Sequence, residues 1–226
     1  MNSLAVPFAL AVPFALAVRF ALAVRFALAV RFAVLAGTWV AVAVLAGCAQ
    51  LSQVRSGEVV VRDRMVVTTD QPWNQFDRSL SGDNHPTWTV DGVTVDALKF
   101  YVTLADGDLI APTPPQSNGV KELRFRSGMS QQEIIGLFES LHSRGGSTCN
   151  TERISPVTFA GSQGFRVEWS GVRQGDNVRL RGVIWGSVQD GRLSAISFTA
   201  PALAFFAKSS PSAERIAASA RLRGGF

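Results

Sequence analysis

The clearest fold signal in this chain of 226 residues is Gly164-Phe-Arg-Val-Glu-Trp-Ser170, which alternates apolar and charged side chains. In an extended chain, Phe165, Val167 and Trp169 lie on one side, and the two charged residues between them lie on the other. Such alternation predicts a strand of an antiparallel sheet that is buried on one face and solvated on the other.

Further elements continue this pattern on both sides of the strand. Strand-like runs joined by short polar turns cover 157–159, 177–188 and 192–199. Ser130, three residues before Glu133, predicts a capped helix, and Ser210-Pro211 predicts the start of a final helix. We therefore expect an α+β fold, in which an antiparallel β-sheet meander packs against two main helices as an α/β sandwich.

The region upstream of the first helix contains shorter elements. The β-branched runs 58–62 and 65–69 predict strands, and 123–126 alternates as another. Residues 70–87 are rich in turn formers and predict a loop, on which Trp73 is the aromatic candidate for an exposed contact.

The first 47 residues have a different composition from the rest. They contain three arginines and no acidic residue, and 4–33 consists of five copies of a six-residue unit. The remaining 179 residues carry 19 Lys and Arg against 17 Asp and Glu, so they are nearly neutral. This balance argues against nucleic-acid binding, because the basic surface should lie on the folded domain.

The end of this leader has the order of a secretory signal. Arg31 precedes the apolar run 32–44, and Leu45-Ala46-Gly47-Cys48 follows. The last four residues resemble the lipobox of bacterial lipoproteins. The resemblance implies that a diacylglycerol is attached to the Cys48 sulfur, that the chain is cut before Cys48, and that the new amino group is acylated. The alternative is that 32–47 stays as an anchor helix and Cys48 is incidental.

The resemblance also implies a division of the chain. Residues 1–47 are the lipoprotein signal peptide with its hexapeptide repeat, 48–57 are a lipidated tether, and 58–226 are a single α+β domain. Ala49 follows the cysteine where an aspartate would favour inner-membrane retention, so we expect an outer-membrane protein that faces the periplasm.

A second resemblance covers 165–222. The segment 196–201 and the helix end at 217–222 are similar to the C-terminal half of small envelope lipoproteins with a PsbP-like sandwich. This resemblance implies the same α/β/α arrangement for the mature domain.

The sequence contains little that indicates catalysis or metal binding. Cys149 is the one thiol left once Cys48 is acylated, and it lies seven residues after His142. A Cys–His pair is one interpretation, and an unpaired structural thiol is the other, with His142 as a charged ring at the helix end. His85 and His142 lack metal-ligand spacing, and Asp106-Gly107-Asp108 predicts a hairpin turn rather than a calcium loop. We therefore predict no catalytic, cofactor-binding or metal residue, and one lipidation site, Cys48.

Arginines on the polar side of the predicted strands form a possible basic face for an anionic partner. They are Arg62, Arg64, Arg124, Arg126, Arg166, Arg179, Arg181 and Arg192. The alternative is a solvated face on which these arginines are interleaved with Glu122, Glu168 and Asp176.

Together these features indicate a membrane-anchored bacterial envelope lipoprotein that acts as a non-catalytic binding or assembly module. Its expected partners are the membrane, through the lipid on Cys48, and an envelope protein or an anionic envelope polymer. The alternatives are an envelope enzyme with an unrecognised active site and a purely structural accessory subunit.

Overall fold

A computed structural model describes residues 51–76, 84–113 and 122–224. The chain divides into two compact units, Met1–Ala49 and Gln50–Phe226, and every described residue belongs to the second unit. The predicted signal peptide 1–47 and the lipidation site Cys48 therefore lie outside the described residues.

The described ranges form eleven strands, two α-helices and a 3₁₀ turn at Arg144–Gly146. The strands are β1 (Leu51–Val54), β2 (Gly57–Val61), β3 (Met65–Thr69), β4 (Trp73–Phe76), β5 (Thr87–Thr89), β6 (Ala97–Leu104), β7 (Thr148–Phe159), β8 (Ser162–Arg173), β9 (Val178–Gln189), β10 (Arg192–Pro201) and β11 (Arg221–Leu222). The helices are α1 (Gln131–His142) and α2 (Phe205–Ala218).

The strands form two antiparallel sheets. The large sheet has the order β1-β4-β5-β6-β10-β9-β8-β7, and the small sheet has the order β11-β3-β2. Each of the strands β7 to β10 pairs with the next one along the chain, so that they form three consecutive hairpins. This arrangement confirms the predicted meander.

The large sheet is covered on both faces. Helix α1 packs on the face that carries Phe165, Val167 and Trp169. Helix α2 and the small sheet pack on the other face, where Trp185 and Phe198 are buried. The α+β sandwich is confirmed, but this second face is not simply solvated, because the β9 and β10 side chains on it are apolar.

Helix α1 begins where its sequence signal predicts. The Ser130 side chain accepts a hydrogen bond from the Glu133 backbone, and the Glu133 carboxylate accepts one from the Ser130 backbone at 2.7 Å. These reciprocal bonds satisfy donors that the first turn cannot bond internally. Ile134, Ile135 and Phe138 form the buried stripe of the helix.

The prediction for the final helix is wrong about its start. Helix α2 begins at Phe205, so Pro211 lies inside it and not at its first position. A proline there removes one helical hydrogen bond. Packing on both sides of the proline compensates for that loss, since the Phe206 ring lies 5.8 Å from the Phe198 ring and Ile216 is fully buried.

Two segments predicted as irregular contain strands. Residues 51–54, within the predicted tether 48–57, form β1 and pair with β4, where Val54 faces Trp73. Strand β4 itself lies within the predicted loop 70–87. Trp73 is only 1% exposed and belongs to the core, so the expectation of an exposed contact is wrong. Four-residue strands are too short to show an alternation pattern.

The predicted strand 123–126 is extended but does not join either sheet. It forms an isolated bridge, Leu109 with Arg124, next to the turn at Asp106–Asp108. Leu123 and Phe125 are buried beneath α1, as the alternation predicts.

Candidate functional site

A groove lies where α1 ends and the large sheet continues. It has a volume of about 240 Å³ and a floor formed by neighbouring residues of β6 and β10. These residues are Ala97, Lys99, Tyr101, Ser197 and Thr199, and the last two residues of α1, Leu141 and His142, form a wall. The small side chains of Ala97, Ser197 and Thr199 leave space above the floor of the groove. Lys99 is the charged residue of the floor.

The wall continues through a stack of two rings. His142 lies on the indole of Trp169, with the ring centroids 4.2 Å apart and the planes 29° from parallel. Trp169 lies over Gly182, which has no side chain and pairs with Thr199 of the groove floor. A Cβ atom at Gly182 would overlap the indole nitrogen Nε1. That nitrogen therefore lies next to the floor of the groove.

Both rings present a buried nitrogen without a hydrogen-bond partner in the described part of the chain. They are Nε1 of Trp169 and Nε2 of His142. Buried polar atoms are nearly always bonded, and leaving one unpaired costs about 1–3 kcal/mol. Unpaired buried nitrogens of this kind can be satisfied by a water, an ion or a ligand.

The ionisation of His142 differs from the expectation for a helix end. Burial, assisted by the positive charge of Lys99, lowers the pKa of His142 to about 4. The prediction of a charged imidazole that interacts with the helix dipole is therefore wrong, because contact with Trp169 removes the ring from water.

Carboxylates in the elements near the groove are engaged elsewhere. Asp91 pairs with Lys208 at 2.6 Å, Asp176 pairs with Arg173 at 2.7 Å, and the Glu139 carboxylate accepts from Thr151. Buried Asp96 accepts from the Val90 and Asp91 backbones and so fixes the loop before Ala97. Among the lining residues, Lys99 alone carries a charge.

The two residues of the possible Cys–His pair have separate environments. Cys149 is a free, half-buried cysteine of β7. Burial and the nearby Glu139 carboxylate raise its pKa to about 11. The thiol is thus protonated at neutral pH, as in a structural cysteine, whereas a nucleophilic cysteine needs a lowered pKa.

Three of the arginines predicted as a basic face are paired with acidic residues. Arg166 lies 2.5 Å from both Glu168 and Glu214, and Arg181 lies 3.9 Å from Glu152. Arg124 pairs with Glu122, at 2.7 Å. For these three arginines the interleaved face is the correct interpretation.

Two larger cavities lie elsewhere, the first beside β6 and the second at the other end of α1. One, of about 320 Å³, is lined by Arg62, His85 and Arg124 among others, and one, of about 490 Å³, by Arg124, Arg126 and Met129 among others. Arg124 is already bonded there to Glu122 and to the Gly107 carbonyl. Across the described ranges, no cluster of His, Cys, Asp or Glu is arranged to hold a metal ion.

The groove was not predictable from single residues. Its floor combines β6 and β10, and its ring stack requires Trp169 to face Gly182, a pairing that depends on strand register. The one signal in the sequence was the set of small residues at alternate positions of β10, Ala195, Ser197 and Thr199.

The comparisons with known proteins gave structural similarities alone. No family model matches the sequence, and neither does any curated protein. The solution structure of the cyanobacterial PsbP (CyanoP) from Synechocystis sp. PCC 6803 is similar, with 12% identity and a TM-score of 0.49, over 78% of this chain and 94% of that one.

The crystal structure of LpqN, involved in cell envelope biogenesis of Mycobacterium tuberculosis, has 10% identity and a TM-score of 0.31, over 76% of this chain and 90% of that one. Neither similarity assigns a function or a residue role to this chain. Within 51–76, 84–113 and 122–224, no helix is both long and apolar enough to span a bilayer.

Proposed function

We propose that this protein is a lipid-anchored module of the bacterial cell envelope that binds a ligand in the groove at the end of α1 and does not catalyse a reaction. The observation that carries the binding role is the stack of Trp169 and His142, whose buried nitrogens have no partner among the described residues. Leu45-Ala46-Gly47-Cys48 supports the anchor.

The ionisation of the groove favours binding over acid–base catalysis. An efficient general acid or base has a pKa near the working pH. The pKa of His142 is about 4, and the pKa of Cys149, on β7, is about 11. Neither group is suited to transfer protons at neutral pH.

The anchor is tested on the mature protein. Mass spectrometry of its N-terminus should find an acylated Cys48, and Cys48→Ser should release the protein from membranes. Two acyl chains anchor a protein stably, whereas one gives marginal binding. A mature protein that retains 1–47, or a Cys48→Ser variant that stays in the membrane, contradicts the lipoprotein proposal.

The binding role is tested by purification of the protein from envelopes under native conditions, followed by mass spectrometry of what remains bound. We expect an envelope molecule that is lost in Thr199→Phe, which fills the groove floor. The matched control is Thr158→Phe, at an exposed position of β7. Equal retention by both variants contradicts a ligand site in the groove.

A further inference from the structure

We propose that the turn between β10 and α2, residues 202–204, is a docking site for another protein of the envelope. The partner would present an apolar pocket with carboxylates at its rim. This turn does not line the groove at the end of α1, so the inference goes beyond the proposed function and does not depend on a groove ligand.

The turn carries the most exposed large apolar side chain in the described part of the chain. Leu203 is 86% exposed, and the next, Ile154, is 47% exposed. The segment Pro201-Ala-Leu-Ala-Phe-Phe-Ala207 contains no polar side chain, and the partly buried rings of Phe205 and Phe206 continue the apolar surface beside Leu203. Contiguous apolar surface, in contrast to a single scattered side chain, marks interaction sites.

The backbone of the turn is strained and fixed. The Phe205 N–H donates to the Leu203 carbonyl at 2.8 Å, and Ala204 between them has a φ of 65° and a ψ of −56°. This is a γ-turn of the rare kind with positive φ, and such strain clusters at functional sites. The Ala202 N–H donates to the Arg179 carbonyl at 2.8 Å, and α2 follows the turn directly. Leu203 is thus held in one position, which lowers the entropic cost of docking.

The charge beside the turn is positive. Arg179 is exposed and makes no ion pair with an acidic residue of the described ranges. Arg181, two residues further and therefore on the same face of β9, lies over the Phe206 ring at 4.9 Å. No side chain caps α2, so the start of the helix adds a partial positive charge. The nearby Asp91 carboxylate is paired with Lys208. Carboxylates of a partner would complement this surface.

These features favour a protein over a bilayer as the partner. Membrane-binding surfaces combine apolar side chains with clusters of available Lys and Arg, whereas Lys208 and Arg181 already have carboxylate partners. If Cys48 carries the proposed lipid, the chain enters the domain at β1. Four strand spacings, or about 19 Å, separate β1 from β10, so the turn would remain accessible to a neighbouring protein.

The first experiment places the photo-crosslinking residue benzoylphenylalanine in the full chain and irradiates intact cells. One variant carries it in place of Leu203, and the matched variant carries it in place of Ile154, an exposed apolar residue of β7. We expect position 203 to crosslink to one other protein, identified by mass spectrometry, and position 154 not to crosslink to it. A crosslink from position 203 to a lipid, to a second copy of this chain, or to no molecule overturns the proposal.

The second experiment tests the chemistry of the contact. The crosslinked protein is purified, and its affinity is measured for the full protein isolated in a nonionic detergent. Leu203→Asp should weaken binding by about tenfold or more, because an apolar side chain no longer enters the pocket. Arg179→Glu should weaken it by about tenfold. The controls Ile154→Asp and Arg126→Glu, at exposed positions away from the turn, should leave it unchanged.

A charge exchange tests the carboxylates directly. Lysine in place of the partner's acidic residues at the crosslinked site should weaken binding to the wild type and restore binding to Arg179→Glu. Failure to restore binding overturns the predicted chemistry of the partner. Equal effects of the turn variants and their controls overturn the docking site itself. Thermal unfolding of each variant verifies that the fold is kept, as expected for substitutions at exposed positions.

Discussion

His142 couples the stability of the fold to pH. Its pKa is about 4 in the folded protein against an ordinary value of 6.5, so the unfolded chain takes up a proton at higher pH than the folded one. The stabilisation is complete above pH 6.5 and is lost as the pH falls from 6.5 to 4, by on the order of 3 kcal/mol.

His142→Gln removes this proton uptake. We expect the difference in unfolding free energy between the wild type and the variant to shrink as the pH falls through this window. Urea unfolding at several pH values measures it. A difference that stays constant over the window would show that His142 is not held neutral by the fold.

Gly182 keeps the space that Trp169 occupies. A Cβ atom at Gly182 would overlap the indole, so Gly182→Ala must displace Trp169 and disturb its stack with His142. We expect a loss of about 1–3 kcal/mol in unfolding free energy, as for other overpacked cores. The control is Gly175→Ala, in the β8–β9 turn, where an added Cβ meets no atom within 4 Å.

At the scale of elements, α1 carries one unfavourable residue. Gly136 lies in the middle of the helix, where an added Cβ meets no atom within 4 Å. Gly136→Ala should therefore stabilise the protein by about 0.5–1 kcal/mol, since glycine loses more backbone entropy than alanine. Ser130→Ala, which removes the N-cap, should change the unfolding free energy in the opposite direction, by about 1 kcal/mol. Denaturant unfolding measures both changes in stability. A Gly136→Ala variant less stable than the wild type would contradict the prediction that the added Cβ meets open space.

The predictable elements are those whose signals are local. The meander follows from alternation within single strands, and α1 follows from a cap and a stripe that lie within twelve residues. The start of α2 was not predictable, because Pro211 is a typical first residue and the packing of Phe206 on Phe198 is a tertiary contact. Trp73 was misplaced for the same reason, since its strand exists through pairing with β1.

At the scale of the whole domain, the C-terminal segment closes the small sheet. Strand β11 pairs with β3, Ala220 is buried, and the Ser219 hydroxyl accepts from the Thr68 backbone at 2.8 Å. Deletion of residues 220–226 should lower the unfolding free energy by about 1–3 kcal/mol through lost apolar burial. Thermal unfolding measures the change.

The ion pairs of this segment give the control for the deletion. Arg221 and Arg223 both pair with exposed Glu58. Exposed ion pairs contribute about 0–1 kcal/mol, so the double variant Arg221→Ala/Arg223→Ala should lose much less than the deletion. An equal loss would assign the stability of the segment to charge and not to burial.

Strand β1 would limit the freedom of the domain at a bilayer if Cys48 carries the proposed lipid. It begins at Leu51, three residues after the proposed anchor at Cys48, and three residues extend over about 10 Å at most. If the proposed anchor is present, so short a connection would keep the domain close to the bilayer surface. With the proposed lipid on Cys48, the β1 edge of the large sheet would lie nearest to the lipid headgroups, and a ligand in the groove would be bound at the membrane surface.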